Sequence, residues 1–375
     1  MKKVIFLIWA ISFCSALSWG QTWKLSETMT ATLSGGVLTI ETTKDAEEMN
    51  NYRNTTPWRK NRDNIHSIIL KEGVSKIGNR AFANLPNLTS VTIPNSLTMI
   101  GMDAFDNCTS LTAITIPNSV TTIGSRAFSR CANLTSVILS ESLHTLEWGT
   151  FSGCMSLASI TIPNSVTDIE PLAFKGCTNL TSIILPNSIT SINGGTFSGC
   201  TNLTSIDIPN SVITIGYNPY NLPLKSAIIK KYAGSAEFIS VGAFQNCRSL
   251  TDITIPNTVS LIGALTFRNC VSLTSIVIPD SVASIHDLTF GGCTSLTSVI
   301  IPNSISYLGG NIFMNCVALK DITVNWSEPL TSRRSSGTVF GKVRTSEITL
   351  HVPAGTEELY KADKFWRVFK IVASK

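Results

Sequence analysis

A 23-residue interval recurs along this chain and constrains its fold more than any other feature. Phenylalanines occur at this interval in two series: Phe82, Phe105, Phe128, Phe151, Phe174 and Phe197, then Phe244, Phe267, Phe290 and Phe313. Around each one the sequence stays close to L-x-x-I-x-I-P-N-S-V-x-x-I-G-x-x-A-F-x-x-C. A repeat of this length is typical of a solenoid, in which each repeat forms one coil and the coils stack.

Each part of the repeat has a local structural meaning. The alternation in L-x-x-I-x-I predicts a short strand with every second side chain pointing inward. Pro-Asn-Ser ends that strand, because proline lacks an amide hydrogen and Asn and Ser favour turns. Ala-Phe then places an aromatic ring inside the coil. One coil cannot close a core alone, so we predict stacked coils that share a parallel β-sheet and a continuous interior.

Residues 1–20 have the pattern of an export signal. Lys2 and Lys3 precede the apolar run VIFLIWAISF, which is too short to span a membrane. Cleavage is expected after SWG, before Gln21, with ALS before Trp19 as the competing site. No later apolar run reaches about 18 residues. We therefore predict an exported protein without a transmembrane segment, either secreted or at the cell surface, with the periplasm left open.

A lipid anchor at Cys14 is an alternative form of this leader. Phe13 precedes that cysteine, where lipidation normally requires a small residue.

The net charge restricts the class of partner. The net charge is +5, and Lys2 and Lys3 in the leader supply two of these charges. This surplus is too weak to indicate nucleic acid as a partner, and no arginine-rich run supports one.

The repeat closely resembles the leucine-rich repeat superfamily and, within it, the BspA-like (Treponema-type) class. The resemblance rests on LTAITIPNSVTTIGSRAFSRC (Leu111–Cys131) and its copies between residues 65 and 322. The end segments GGVLTI with NNYRNTTPWRKNRDNI, and ITLHVPAGTEELYKADKFWRVFKIV, resemble the caps of secreted Bacteroidetes members. The resemblance implies surface or secreted proteins that act in adhesion to host matrix proteins or other bacteria.

The predicted architecture is a right-handed leucine-rich repeat solenoid of about eleven coils with a parallel β-sheet on one face. The signal occupies residues 1–20 and the N-terminal cap residues 21–64. The array covers residues 65–322, with an irregular coil at 217–243, and the C-terminal cap covers residues 323–375. Aromatic residues gather at both ends and are interpreted as cap cores, with sugar-stacking platforms as the alternative: Trp23, Tyr52, Trp58, Trp326, Tyr360, Phe365 and Trp366.

Nine cysteines recur three residues after the aromatic position, at Cys108, Cys131, Cys154, Cys177, Cys200, Cys247, Cys270, Cys293 and Cys316. An odd number excludes complete internal pairing. Neighbouring coils would place their Cα atoms about 4.8 Å apart, within disulfide range, but parallel stacked side chains rarely have the required dihedral. Leu85 fills the same position in the first coil. We predict a structural ladder of buried thiols, with disulfide, catalytic and metal roles as alternatives.

No enzyme signature is present in the sequence. The histidines His66, His144, His286 and His351 are widely separated, and no catalytic, phosphate-binding or dinucleotide-binding motif occurs. The outward strand positions are mostly Ser and Thr and are predicted to form a neutral face without an acid–base pair. The sequence therefore predicts no catalytic residue, no cofactor and no bound metal.

Two departures from the repeat are candidate sites. The corner glycine becomes Glu147, Glu170 and Asn193 in successive coils, with Asp168 two residues before Glu170. A solvated edge is the main interpretation of these carboxylates, and a calcium site is the alternative. The irregular coil lacks the Pro-Asn-Ser turn and the cysteine. It is either a drifted repeat or a patch that binds an acidic protein or anionic glycan through Tyr220, Lys225, Lys230, Lys231 and Tyr232.

These observations predict a non-enzymatic cell-surface or secreted module for recognition or adhesion. Its expected partner is an extracellular protein or glycan of host or bacterial origin, and the protein is expected to be a monomer. The alternative is a structural surface-array or spacer protein without a specific ligand, because neutral, repetitive faces also suit that role.

Overall fold

A computed structural model describes residues 20–52, 55–217, 242–330, 340 and 343–374 of the chain. They form a parallel β-solenoid of about 13 turns of roughly 23 residues. The predicted stack of coils with a shared parallel sheet is therefore confirmed. Across the described ranges, no helix combines the length and apolar character needed to cross a membrane.

The solenoid is built almost entirely from short strands. The first twelve are β1 (Gln21–Lys24), β2 (Met29–Ser34), β3 (Val37–Thr42), β4 (Glu47–Glu48), β5 (Ser67–Leu70), β6 (Val74–Ile77), β7 (Ser90–Thr92), β8 (Met99–Ile100), β9 (Ala113–Thr115), β10 (Thr122–Ile123), β11 (Ser136–Ile138) and β12 (Thr145–Leu146). The others are β13 (Asp168–Ile169), β14 (Ser191–Asn193), β15 (Thr214–Tyr217), β16 (Leu261–Ile262), β17 (Ser275–Val277), β18 (Ser284–Ile285), β19 (Ser298–Ile301), β20 (Tyr307–Leu308), β21 (Asp321–Val324), β22 (Thr349–Val352) and β23 (Lys370–Ala373). The α-helix α1 is Glu357–Ala362, and 3-10 turns occupy Arg59–Asn64 and Thr345–Glu347.

Many coils carry two strands rather than the single one that the repeat pattern predicts, and in the coils between β11 and β17 the front strand is reduced to the isolated bridges Thr161–Ile184 and Asp207–Thr254. The strand before Pro-Asn-Ser forms a front row, in which β5 pairs with β7 and β17 with β19. The segment after Pro-Asn-Ser forms a second parallel row, in which β6 pairs with β8 and β16 with β18. Its alternate aliphatic residues, such as Ile77 and Ile100, are fully buried. Two sheet rows therefore enclose one continuous apolar interior.

Strands of both end segments continue the front row of the array. In the N-terminal segment β1, β2 and β3 are antiparallel, but β3 pairs in parallel with β5. In the C-terminal segment β22 pairs in parallel with β21, and β23 with β22. These additional strands raise the number of turns above the eleven that the sequence repeat predicts. Trp58, Tyr360 and Trp366 are fully buried, in agreement with the cap-core interpretation.

An aromatic column runs through the interior of the solenoid. Adjacent ring centroids are 5.4 to 6.0 Å apart, with interplanar angles of at most 27°. Trp58 starts the column and Phe340 ends it, so both end segments contribute to it. The column consists of Trp58, Phe82, Phe105, Phe128, Phe151, Phe174, Phe197, Phe244, Phe267, Phe290, Phe313 and Phe340.

One interval in the stack is 47 residues instead of 23. Phe197 and Phe244 stack directly, with ring centroids 5.5 Å apart. The same offset relates β15 to β16, where Ile215 pairs with Ile262. Phe197 and Phe244 are therefore direct neighbours in the aromatic column. The interpretation of residues 217–243 as an irregular coil stays a prediction. Residues 218–241 lie outside the described part of the chain.

Candidate functional site

The residues that flank each column phenylalanine form one side of the solenoid, which we call the turn face. It consists of the positions two before, one after and two after each ring. The first and last of these have left-handed backbone in most coils, with φ of 57° at Arg80, 54° at Asp103 and 58° at Arg126. Side chains at equal positions of successive coils therefore form rows along this face.

Five charged residues of three consecutive coils form a network on the turn face. Asp103 Oδ2 lies 3.0 Å from Arg80 Nε. Asp103 Oδ1 lies 3.1 Å from Arg126 Nε, and this contact is an ion pair whose angle does not fit a hydrogen bond. Asp106 is held in the same way. Arg130 donates to both of its carboxylate oxygens, and Arg126 Nη2 is 3.6 Å away. The hydrogen bond with Asp106 raises the pKa of Arg130.

The network presents cations to solvent and hides the anions. The Asp103 and Asp106 side chains are only 4% and 7% exposed, whereas those of Arg80, Arg126 and Arg130 are 42%, 33% and 56% exposed. Buried carboxylates require such partners, because an uncompensated charge in the interior is strongly destabilising. The same arrangement makes the outer surface of the turn face basic.

A pocket of about 310 Å³ opens beside this network. Arg126, Arg130, Trp148, Leu172 and Lys175 line it, and the guanidinium carbon of Arg126 lies 5.7 Å from the centroid of the Trp148 ring. Cation–π contacts of this kind hold a guanidinium against an indole. The pocket therefore combines an aromatic wall, an aliphatic side chain and three cations.

Gly149, in the coil of Phe151, lines this pocket. Gly149 and Gly153 occupy the two left-handed positions that Arg126 and Arg130 occupy one coil earlier, with φ of 61° and 77°. A Cβ atom on Gly149 would lie 3.2 Å from Arg126 Cγ. The absence of a side chain at Gly149 leaves space beside Arg126.

A second, smaller pocket lies at the N-terminal end of the turn face. It has a volume of about 80 Å³, and Arg59, Arg62 and Arg80 are among the residues that line it. Arg80 also belongs to the charged network, so the two pockets lie along one basic strip.

The sequence prediction missed this network. A signal for it exists, because Arg80, Asp103 and Arg126 occupy one repeat position in three consecutive coils, where other coils have Gly, Leu or Asn. Alternating charges at a 23-residue spacing become neighbours once coils stack. The Asp106–Arg130 contact is less visible, because these residues occupy different repeat positions.

An acid–base pair lies on the front row, where none was predicted. Asp321 begins β21 and His351 lies in β22, with Oδ1 and Nε2 2.9 Å apart. The prediction of a face without such a pair is wrong, because β22 of the C-terminal segment continues the sheet. A catalytic set also needs a nucleophile within hydrogen-bond reach of the imidazole. Among the described residues, the His351 ring is hydrogen-bonded to Asp321, and no hydroxyl or thiol group is hydrogen-bonded to it.

Of the candidate carboxylates, Asp168 lies in β13 of the second row, and Glu147 and Glu170 directly follow β12 and β13. Ser125 Oγ donates to Glu147 at 3.3 Å, and Thr167 Oγ1 donates to Asp168 at 2.8 Å. Calcium prefers about six to eight oxygen ligands. In the part of the chain that the structure describes, no group of three or more His, Cys, Asp or Glu side chains is arranged to hold a metal ion. The calcium alternative stays a hypothesis.

The other sequence-based candidates are Tyr220, Lys225, Lys230, Lys231 and Tyr232. They lie within residues 218–241, outside the described residues. Their role in binding stays a prediction.

A family model described as a BspA type leucine rich repeat region matches residues 60–181, 167–270 and 220–336, in six copies. The chain belongs to the BspA-type leucine-rich repeat family. The match spans more than half of the sequence, so the resemblance inferred from the repeat is confirmed. No curated protein matches the chain.

Several solved structures resemble this BspA-type chain. A leucine-rich repeat protein from Bacteroides ovatus is 25% identical over 85% of this chain and 98% of its own, with a TM-score of 0.45. A leucine rich cell surface protein from Faecalibacterium prausnitzii is 26% identical over 81% and 94%, with a TM-score of 0.34. The pneumococcal vaccine antigen PcpA is 16% identical over 94% and 98%, with a TM-score of 0.51. The last similarity concerns the fold alone.

In this BspA-type solenoid the nine repeat cysteines are buried and free. Each thiol donates to the carbonyl oxygen of the column phenylalanine in the preceding coil, with sulfur–oxygen distances of 3.0 to 3.3 Å. Burial raises the pKa of these thiols, to about 12 for Cys108. Thiols of this kind are poor nucleophiles, because the thiolate is the reactive form.

After removal of the leader, all nine thiols should resist iodoacetamide at pH 8 while the protein is folded, and they should react once it is unfolded.

The free energy of unfolding should fall as the pH rises from 9 towards 12, because the pKa of an unfolded thiol is near 9.0 and that of the folded Cys108 thiol is about 12. Cys154→Ala should lower the free energy of unfolding by about 1–2 kcal/mol. Mass spectrometry of the alkylated protein and urea denaturation measure these effects.

A reducing agent should leave the wild-type Tm unchanged. A large drop in Tm with reductant, or rapid labelling of the folded protein, would contradict a purely structural ladder.

Proposed function

We propose that this BspA-type protein is a non-enzymatic recognition module, exported by its leader, that acts at the cell surface or as a secreted protein. As a monomer it binds an extracellular protein or glycan. The observation that carries this proposal is the turn face, where exposed guanidinium groups cover buried carboxylates beside an open pocket. Arginine and tryptophan are enriched among the residues that dominate binding energy.

A structural surface-array or spacer role is the second candidate. The front row favours it, because part of its polar surface is satisfied within the stack. Ser90 Oγ donates to Ser67 Oγ at 3.0 Å, and Thr89 donates to the carbonyl oxygen of His66 in the preceding coil. Such residues offer few free groups to a ligand.

Two measurements test the proposed function. Antibodies against residues 21–375 should label intact native cells or detect the protein in the culture medium, because the leader directs export. The purified protein should bind at least one member of a panel of purified matrix proteins and glycans with saturation. An exported protein without saturable binding would favour the spacer role, and detection only after cell lysis would contradict the location.

A further inference from the structure

We propose that the front row carries a docking site for an extended segment of a protein partner, in which an aliphatic residue, a cationic residue and a second aliphatic residue occupy alternate positions. This inference rests on the proposed function and names the chemistry of its protein partner. The site, which we call the front patch, consists of outward residues of five consecutive coils: Ile184, Asp207, Asp252, Val277 and Ile300.

The three aliphatic side chains of the front patch are exposed to solvent. Ile184 is 71% exposed, Val277 75% and Ile300 52%. Val277 and Ile300 are direct partners in the parallel pairing of β17 with β19. Other coils carry threonine at this repeat position, as at Thr92, Thr115, Thr161 and Thr254. Threonine is β-branched like valine and isoleucine, so formation of the strand does not require an apolar residue here. The exposed aliphatic surface is therefore available to a partner.

Two carboxylates lie between these aliphatic side chains. Asp207 pairs with Thr254 across the 47-residue interval, which makes Asp207 and Asp252 outward residues of adjacent coils. Both are exposed, and no ion pair of the described residues involves either of them. Like charges on neighbouring strands repel each other, and a lysine or arginine of a partner relieves this repulsion. Asp321, farther along the row, already pairs with His351 and is not part of the site.

The spacing of the front patch fits an extended peptide that runs along the solenoid axis. Ile184 and Val277 are three coil intervals apart, which corresponds to about 14 Å, and the two carboxylates lie near the midpoint. In an extended chain, the side chains of residues i, i+2 and i+4 point to one side and span about 13–14 Å. Residue i then contacts Ile184, the cation at i+2 lies between the aspartates, and residue i+4 contacts Val277 and Ile300.

The chemistry of the front patch favours a protein segment over a glycan. The five residues that form it include no aromatic ring on which a pyranose could stack. Serines flank the patch in the adjacent outward column, and Ser182, Ser205 and Ser275 are exposed. Their hydroxyl groups can donate to and accept from the backbone of a bound peptide. Aliphatic contacts, a charge pair and backbone hydrogen bonds are together the interactions that an extended peptide offers.

A titration followed by methyl NMR tests the site with peptides of defined sequence. The probe is the nonapeptide GSISKSISG. Its controls are GSISESISG, in which the charge is reversed, and GSSSKSSSG, which lacks the aliphatic residues. The isoleucine and valine methyl groups of residues 21–375 are isotope-labelled. A nonapeptide covers far less than the roughly 800 Å² per partner of a stable interface, so the titration extends to about 5 mM.

GSISKSISG should shift the methyl resonances of Ile184, Val277 and Ile300 with saturation and leave those of Ile138 unchanged. Ile138 occupies the same repeat position and is 58% exposed, but the outward front positions of the coils next to it carry no carboxylate. Both control peptides should bind at least about fivefold more weakly. The affinity for GSISKSISG should fall with salt, because exposed charges are screened beyond about 8 Å at physiological ionic strength.

The test variants use residues that the repeat itself carries. Val277→Thr introduces the residue found as Thr254 in the preceding coil and should weaken the binding of GSISKSISG about threefold or more. Asp252→Ser introduces the residue found as Ser275 in the next coil and should weaken it by a similar factor. Ile138→Thr is the matched control and should change the affinity less than about 1.5-fold, because it lies outside the patch. Melting curves of each variant establish that the fold is intact.

Three results would overturn the inference: methyl resonances of the front patch that do not respond to GSISKSISG, equal binding of GSISESISG, or equal losses of affinity in Ile138→Thr and Val277→Thr. These failures differ from a failure of the proposed function, which is the absence of export or of saturable binding to the panel. If the peptide does not bind while a matrix protein or glycan binds with saturation, the partner chemistry is wrong and the proposed function stands.

Discussion

Replacing Phe128 by alanine is expected to lower the free energy of unfolding by about 3–5 kcal/mol. The ring is fully buried and stacks on Phe105 at 5.4 Å and Phe151 at 5.6 Å. Its removal leaves a cavity in the middle of the column, and the neighbouring rings are held at their spacing by the backbone of their own coils. Urea denaturation followed by circular dichroism measures the loss.

The control for Phe128→Ala is Ile138→Ala in the next repeat. Ile138 lies on the front row and is 58% exposed, so this variant should lose less than about 1 kcal/mol. Because a solenoid is stabilised by contacts between neighbouring coils, Phe128→Ala should also make the unfolding transition less cooperative. Equal losses in the two variants would show that the column is not the main core.

Arg126→Leu is expected to destabilise the protein by about 2–4 kcal/mol. Arg126 contacts both Asp103 and Asp106, and its loss leaves two nearly buried carboxylates with fewer cations. The expected loss of unfolding free energy is smaller than for a fully buried ion pair, because the Arg126 side chain is 33% exposed and Arg80 and Arg130 still pair with the two aspartates. Leucine is a suitable replacement, since Leu172 has a φ of 64° at the same repeat position.

Two further variants separate charge from packing. Arg344→Leu removes an arginine that is 84% exposed and pairs with Glu347 at 3.4 Å, and it should cost less than about 1 kcal/mol. The triple variant Asp103→Leu, Asp106→Ser, Arg126→Leu removes the buried charges together and should recover most of the loss. If the triple variant is as unstable as Arg126→Leu, the loss comes from packing and not from stranded carboxylates.

The elements closest to the repeat could be predicted best. The period of Phe82 and its copies, with apolar residues at alternate positions before Pro-Asn-Ser, is enough to predict stacked coils and a front row of parallel strands. The second row was not predicted. Its strands are mostly two residues long, as in β8 and β10, and such short segments have too few positions to show a period.

The candidate site was less accessible from sequence, because its contacts join different coils. Asp106 and Arg130 are 24 residues apart, and Asp321 and His351 are 30 residues apart. Neither separation equals the repeat interval. Sequence alone does not reveal that residues 349–352 continue the sheet, which is what places His351 beside Asp321.

The sequence by itself determined the coil, its length, the inward residues and the family, because these depend on local periodicity that every repeat restates. The tertiary structure decided which coils are neighbours, that Phe197 stacks on Phe244, and that buried Asp103 and Asp106 lie under exposed arginines. The physical reason is that stacking converts positions one interval apart into contacts about 5 Å apart. Residues that differ between repeats are then neighbours in space. Gly149, for example, lies beside Arg126 of the preceding coil, and such differences produce the charged surface and the pocket.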